Sequence, residues 1–348
     1  MMRLPSFRYL SPSTLGEAAA ILSAEGPNAS LLAGGTDLLP NMKRRQQTPR
    51  VLIGLRRVAE LASFGNGAGL TLGAGLTLSH VAAAPIVGER YAALRQAAAQ
   101  VATTHLRNLA TLGGNLCLDT RCHYYDQSYE WRKAIDFCMK KDGAICWVAP
   151  SSRRCLALSS SDTAPALIAL GARIRLLSSR GERELALADF YRNDGIDYAV
   201  RRPDEILTQV TLPDAREWRS AYWKLRRRGA FDFPVLGVAA AVRREGDGTV
   251  SEARIVLGAV SSTPILSDAG ALLVGGRLDD DAITAAAEAV ARAAKPVDNA
   301  DFTLSWRKKV VPAFVGHALR EVRGDDMRAT RLRLARQTLD PPPSAPAC

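Results

Sequence analysis

The chain has 348 residues, 47% of them apolar and 23% charged, the balance of a water-compatible globular protein with more sequence than one ordinary core absorbs. Lys and Arg outnumber Asp and Glu by 46 to 35, a net charge of +11. The basic clusters at 43–45, 226–228 and 328–336 accompany no helix-turn-helix, zinc-finger or RNA-binding signature, which argues against nucleic acid and for an acidic partner.

Arg3, Pro5 and Arg8 stand where an apolar signal core would sit, and no stretch approaches the roughly 20 apolar residues that span a bilayer. A cytoplasmic protein without membrane contact is expected, with cysteines that are metal ligands or buried thiols rather than disulfides. Thr14-Leu15-Gly16-Glu17 has capping-box spacing, and the apolar run 17–22 continues the helix it opens. Residues 29–33 read as a short strand broken by Gly34-Gly35-Thr36-Asp37, and 50–55 as a second, which makes 1–58 a small α/β unit. The next unit, 59–216, opens with an alternating strand at 69–75, a helix at 91–101 and a glycine-bearing loop at 103–115. After an insertion at 117–156 come a helix at 163–170, capped by left-handed Gly171, a strand at 173–177, a turn at 179–182 and a strand at 205–212. Strands at 222–226, 235–241 and 253–260, then helices at 281–294 and 305–322, give an α+β domain over 217–325. The arginine-rich tail, 326–348, contains Pro341-Pro342-Pro343 and is expected to be poorly ordered.

Two glycine clusters match neither the dinucleotide fingerprint nor the P-loop. They are Leu32-Ala33-Gly34-Gly35-Thr36-Asp37-Leu38 and Thr111-Leu112-Gly113-Gly114-Asn115-Leu116. Glycines let a backbone approach a phosphate closely, and successive N–H groups make an anion-binding nest. Thr36, Thr111 and Asn115 could add donors, and two such loops could clamp a pyrophosphate. Paired glycines can equally mark tight turns alone.

These loops, their order, Ser161-Asp162 before a helix, and the stretch Ser220-Ala221-Tyr222-Trp223-Lys224 resemble the FAD-binding subunit of the xanthine dehydrogenase and carbon monoxide dehydrogenase family, over about residues 5 to 325. The resemblance implies an α+β fold. It has a two-subdomain FAD-binding unit of the PCMH type and a C-terminal domain like that of the carbon monoxide dehydrogenase flavoprotein. It also implies that Leu31, Leu32, Ala33, Gly34, Gly35, Thr36, Asp37 and Leu38, with Thr111, Leu112, Gly113, Gly114 and Asn115, hold the FAD pyrophosphate. Asp162 would take the ribityl or adjacent hydroxyls, and Val101 and Lys224 would lie near the flavin ring unless they are a core valine and a solvated lysine.

Five of the six cysteines fall within 117–155, with six of the 21 aromatics, a density suited to a small module built round a metal. The spacing Cys122-x15-Cys138-x7-Cys146-x8-Cys155 matches neither zinc-site pairs nor ferredoxin spacings, so by itself it leaves iron–sulfur and zinc balanced. The run from Asn115 through Cys122 and Tyr129-Glu130-Trp131-Arg132 to Cys155 resembles the β subunits of 4-hydroxybenzoyl-CoA reductases, a branch of that family. This implies a [4Fe–4S] cluster on Cys122, Cys138, Cys146 and Cys155. It further implies a molybdopterin-binding large subunit, a small [2Fe–2S] subunit, a dimer of heterotrimers and reduced ferredoxin as donor, in the conversion of 4-hydroxybenzoyl-CoA to benzoyl-CoA and water. Two rivals remain: a related molybdenum hydroxylase subunit working on another substrate, and a cofactor-free scaffold with a zinc loop. Cys117 reads as a buried small residue and Cys348 as an idle terminal one. His80, His105, His123 and His317 are isolated, and no acid, base or nucleophile stands in a catalytic setting, as expected of an electron-relay subunit. Arg132, Lys133, Lys140, Lys141, Arg153 and Arg154 read either as a solvated face or as a docking surface for an acidic ferredoxin.

Overall fold

The computed structural model describes residues 3–336. The first unit contains β1 (Arg8–Leu10), α1 (Leu15–Glu25), β2 (Ala29–Leu32), α2 (Leu38–Lys43) and β3 (Val51–Gly54), with the strands parallel in the order β1-β3-β2. Thr14 opens α1 by accepting from Glu17 N at 3.1 Å, while the Glu17 carboxylate reaches back to Ser13 N at 2.8 Å, one residue earlier than in a standard capping box. Ala18, Ala19 and Leu22 pack from α1 onto Val51 and Ile53 of the sheet.

The second unit begins with β4 (Phe64–Asn66) and β5 (Leu70–Gly73). Short helices follow: α3 (Leu78–Ala83), α4 (Pro85–Arg90), α5 (Ala92–Gln100), α6 (Thr104–Arg107) and α7 (Leu112–Leu116). The insertion contributes α8 (Tyr129–Ala134). Then come α9 (Thr163–Ala169), β6 (Arg173–Ser178), β7 (Gly181–Ala186) and β8 (Ile206–Leu212), in an antiparallel sheet ordered β4-β5-β8-β6-β7. Every residue of α9 is buried, because its other side meets the third sheet. A helix apolar all round is stable only when covered on all sides. Asp162 is thereby held at the seam between the units.

The last unit has β9 (Trp218–Leu225), β10 (Leu236–Arg244), β11 (Val250–Gly258) and β12 (Ile265–Ser267), antiparallel in sequence order, covered by α10 (Asp280–Ala293) and α11 (Leu304–Arg323).

Two expectations are corrected. The segment 103–115 is not plain loop: Thr103 and Thr111 cap α6 and α7 through their hydroxyls, which accept from Leu106 N and Gly114 N. The tail is not irregular throughout, because α12 (Arg328–Arg336) follows α11. Arg331 anchors it, with its guanidinium 4.1 Å over the Trp223 ring and 2.6 Å from the Glu321 carboxylate. The proline run and Cys348 lie outside the described residues.

Candidate functional site

The first glycine loop leaves β2 and turns at left-handed Gly35, φ +72°. A Cβ on Gly34 would stand 2.0 Å from the Leu109 carbonyl oxygen, and one on Gly113 would stand 2.7 Å from the Ala74 Cβ. Bare backbone at these positions is therefore used to press the loops against their neighbours. The two loops line one cavity of about 900 Å³, bounded also by the third unit. Leu31 to Leu38, Val101, Thr111, Gly113, Gly114, Asn115 and Asp162 all line it. Leu112 does not, because its side chain is turned into the core.

Several side chains have other duties than those expected of them. Asn115 Oδ1 accepts from Ser161 Oγ at 2.8 Å, Thr163 Oγ1 at 2.6 Å and Thr163 N at 3.2 Å, which ties the second loop to the start of α9. The Thr111 hydroxyl accepts from Gly114 N. Lys224 is neither solvated nor on the cavity wall: its side chain is fully buried behind Asp162. Its Nζ lies 2.9 Å from the Asp162 carboxylate and 3.1 Å from the Gln100 carbonyl, the residue before Val101. Burial pulls the Lys224 ammonium below its ordinary range, and the Asp162 carboxylate opposes that pull. Tyr222 donates to the other carboxylate oxygen at 2.7 Å. At the far wall left-handed Ala102, φ +44°, accepts from Phe231 N at 3.1 Å, which closes the 226–234 loop over the cavity with Phe231 and Phe233 exposed at its mouth.

A second, small cavity is lined by Cys122, Cys138, Cys146 and Cys155 with Tyr124, Tyr125, Met139 and Trp147. All four thiols are buried. An isolated antiparallel bridge between Arg121 and Leu158 sets Cys122 near the segment that carries Cys155. Cys138 and Cys146 come from a tight loop closed by Met139 N to Ile145 O at 2.8 Å, with left-handed Asp136, Phe137 and Asp142 around it. Such backbone persists only where surrounding contacts over-determine it. Gly195 makes room for the fourth thiol, since a Cβ there would lie 2.7 Å from Cys155 Sγ. Burial pushes the Cys122 thiol up to about 12 and the Cys155 thiol up to about 11, so unligated they hold their protons at neutral pH. Among the described residues no group of three or more His, Cys, Asp and Glu side chains is drawn together closely enough to share a single ion. Cys117 lines the large cavity only, and burial raises its thiol too.

The basic residues of the insertion do not form one exposed face. The Lys140 side chain is 6% exposed, with Nζ 2.7 Å from the Asp119 carboxylate, the Thr120 hydroxyl and the Gly195 carbonyl. Arg132 is fully buried against the Arg44 and Arg45 carbonyls. Only Lys133, Arg153 and Arg154 of the set are fully exposed, with Lys141 partly so.

Sequence reasoning missed Arg121. It lines the large cavity, as does Cys122, and Cys122 lines the small cavity as well. The only signal in the sequence was adjacency, an arginine directly before a cysteine of the insertion.

Two glycine loops lining one large cavity, bounded on its far side by loops of the third unit, define a subunit built to hold a sizeable cofactor. Residues 5–215 match the FAD binding domain in molybdopterin dehydrogenase, and residues 220–322 the CO dehydrogenase flavoprotein C-terminal domain. The aldehyde oxidoreductase FAD-binding subunit PaoB of Escherichia coli is 34% identical over 75% of this chain and 83% of its own length. The carbon monoxide dehydrogenase medium chain of Hydrogenophaga pseudoflava is 28% identical over 90% of this chain and 96% of its own. A crystal structure of carbon monoxide dehydrogenase from the latter organism, lacking the Mo-pyranopterin moiety, superposes with a TM-score of 0.75 at 27% identity, covering 92% of this chain and 98% of that one. The chain belongs to the FAD-binding subunits of the molybdenum hydroxylase and carbon monoxide dehydrogenase medium-chain family. No helix among the described residues is long and apolar enough to cross a membrane.

Proposed function

We propose that this chain holds FAD in the large cavity and a [4Fe–4S] cluster on Cys122, Cys138, Cys146 and Cys155. It would do so within a molybdenum-containing complex that reductively dehydroxylates 4-hydroxybenzoyl-CoA. The observation that carries this reading is that four thiols from across the insertion line one cavity, which shares Cys122 with the wall of the flavin cavity. A single zinc binds thiolates at about 2.3 Å and so draws them together. Four buried thiols on one cavity are also the ligand complement of a [4Fe–4S] cluster, in which each binds its own iron.

When bound, the flavin exchanges electrons in pairs or singly and the cluster takes them one at a time. The residues of this chain supply position and shelter. The first glycine loop would cradle the pyrophosphate, while the N–H groups of Leu112, Gly113, Gly114 and Asn115 are already spent on Leu76, Ala74 and Thr111 and hold the second loop in shape beside it. Asp162, fixed by Lys224 and Tyr222, presents an acceptor to the ribityl or adjacent hydroxyls. Buried Tyr125 and the partly buried Tyr124 and Trp147 pack around the thiols. Substrate chemistry belongs to a partner large subunit with molybdopterin: two electrons and two protons are taken up, the ring hydroxyl leaves as water, and benzoyl-CoA forms. A small [2Fe–2S] subunit completes a heterotrimer, itself paired, and reduced ferredoxin in the cytoplasm supplies the electrons. Relatives named as medium chains support a multi-subunit assembly.

A second reading keeps both cofactors but runs oxidatively on another substrate, and relatives named as dehydrogenases and oxidoreductases favour it. An anaerobic assay of the assembled complex with reduced ferredoxin and 4-hydroxybenzoyl-CoA separates the two. Benzoyl-CoA is the expected product. A complex inert to the thioester that oxidises an aldehyde or an aromatic heterocycle would establish the second reading instead.

A further inference from the structure

The insertion is mounted on the segment that follows the first glycine loop, and the mounting converges on one residue. Asp37, the penultimate residue of that loop, forms an ion pair with Arg121 and accepts from Asn41 Nδ2 at 3.0 Å. Asn41 is completely buried, and its Oδ1 accepts from Arg121 Nη1 at 3.1 Å, so the three side chains form a closed ring. Arg121 also lies 3.5 Å from Asp126, which pairs with Arg44, and 4.9 Å from the centre of the Phe233 ring at the cavity mouth. Its Nε is buried with no hydrogen-bond partner among the described residues. Its backbone, in turn, is fixed by two hydrogen bonds to Leu158, at 2.8 and 2.7 Å, directly beside Cys122. The side chain therefore ends at the flavin loop while the main chain runs directly into Cys122 of the thiol cavity.

From this geometry we propose that Arg121 is a positioning residue that couples the two cofactor sites, so that filling the thiol cavity orders the Asp37 end of the first glycine loop and tightens FAD binding. The proposal rests on the two-cofactor reading above. Ligation of Cys122 would further restrain the Arg121–Leu158 pair beside it, and the guanidinium would transmit that restraint to Asp37 and Asn41. Linkage makes the effect mutual: bound FAD strengthens cluster retention by the same factor.

The test is an equilibrium FAD titration, followed by flavin fluorescence, on anaerobically reconstituted protein and on chelator-stripped protein. Wild type is compared with Arg121→Met, Arg121→Lys and Asp37→Asn. In wild type the reconstituted form should bind FAD about tenfold more tightly than the stripped form. The ratio should fall to near one in Arg121→Met and Asp37→Asn, and recover in part in Arg121→Lys. A variant that merely loosens the fold weakens both forms alike and leaves the ratio intact. An unchanged ratio in Arg121→Met, or equal affinities in the two wild-type forms, would overturn the proposal. If one substitution prevents folding, the other breaks the same ion pair from the opposite side and decides the matter. Should wild type take up no iron, the cluster reading itself fails, a result distinct from a protein that holds iron and FAD independently.

Discussion

Lys224 shows how one side chain can be located from sequence and yet misread. Its place after Ser220-Ala221-Tyr222-Trp223 tied it to the flavin site, but nothing in that stretch reveals whether an ammonium faces cofactor, solvent or a carboxylate. The structure puts it on β9, whose every residue from Ser220 on is buried, and among the described residues the one opposite charge in contact with it is Asp162. Removing one partner of such a pair leaves a bare charge in a dry interior, at a cost of about 3–5 kcal/mol. Lys224→Met should therefore lower the urea midpoint sharply. The double variant with Asp162→Asn should recover most of that loss, since Tyr222 can still donate to the amide oxygen. If the single variant is as stable as wild type, the pair is not the clasp described here. The cysteines were easier to read, because their crowding into one short segment is itself abnormal. What spacing withheld was their arrangement, which depends on the Arg121–Leu158 bridge and on left-handed turns at non-glycine residues that no sequence rule marks.

At the level of elements, legibility followed length. The strands β9, β10 and β11 of the third sheet and the two long helices that cover it were readable because their patterns run over many residues, whereas the three-residue β12 was not. The helices α6 and α7, of four and five residues, were hidden by glycines and by threonines that serve as caps. The helix α12 was hidden because its order comes from a tertiary stack on Trp223 rather than from propensity. The glycine loops were found, but part of the reason for their glycines was not. Gly34 faces the Leu109 carbonyl, and a methyl group there must push the loops apart. Gly34→Ala should weaken FAD binding at least tenfold in a flavin titration while leaving most of the far-UV signal. A methyl group at Gly16, near the start of α1, would meet nothing within 4 Å, and Gly16→Ala should stabilise the protein by about 0.5–1 kcal/mol. Equal FAD affinity in Gly34→Ala and wild type would show that close approach of the loops is not what shapes the cavity.

Across the whole molecule, all three units contribute to one large cavity, and the insertion is tied to residues 44 to 47 of the first unit. The α+β architecture was legible because runs of alternating and helical pattern come in a recognisable order. The proximity of the two cavities was not, since it arises from contacts such as Arg121 to Asp37 and Gln47 to Asp119 that join residues more than 70 positions apart. The net positive charge also proved a poor guide to a docking face: Lys140 is spent on Asp119 and Arg132 on backbone carbonyls, so the charge left at the surface of the insertion is smaller than the sequence implies. The central claim is that this polypeptide carries both a flavin and an iron–sulfur cluster. Iron, zinc, acid-labile sulfide and flavin analysis of anaerobically purified wild type and Cys138→Ser tests it most directly. Wild type should contain about four irons per FAD, and Cys138→Ser should lose the iron while keeping the flavin. Zinc in place of iron, or four irons retained in Cys138→Ser, would contradict the account.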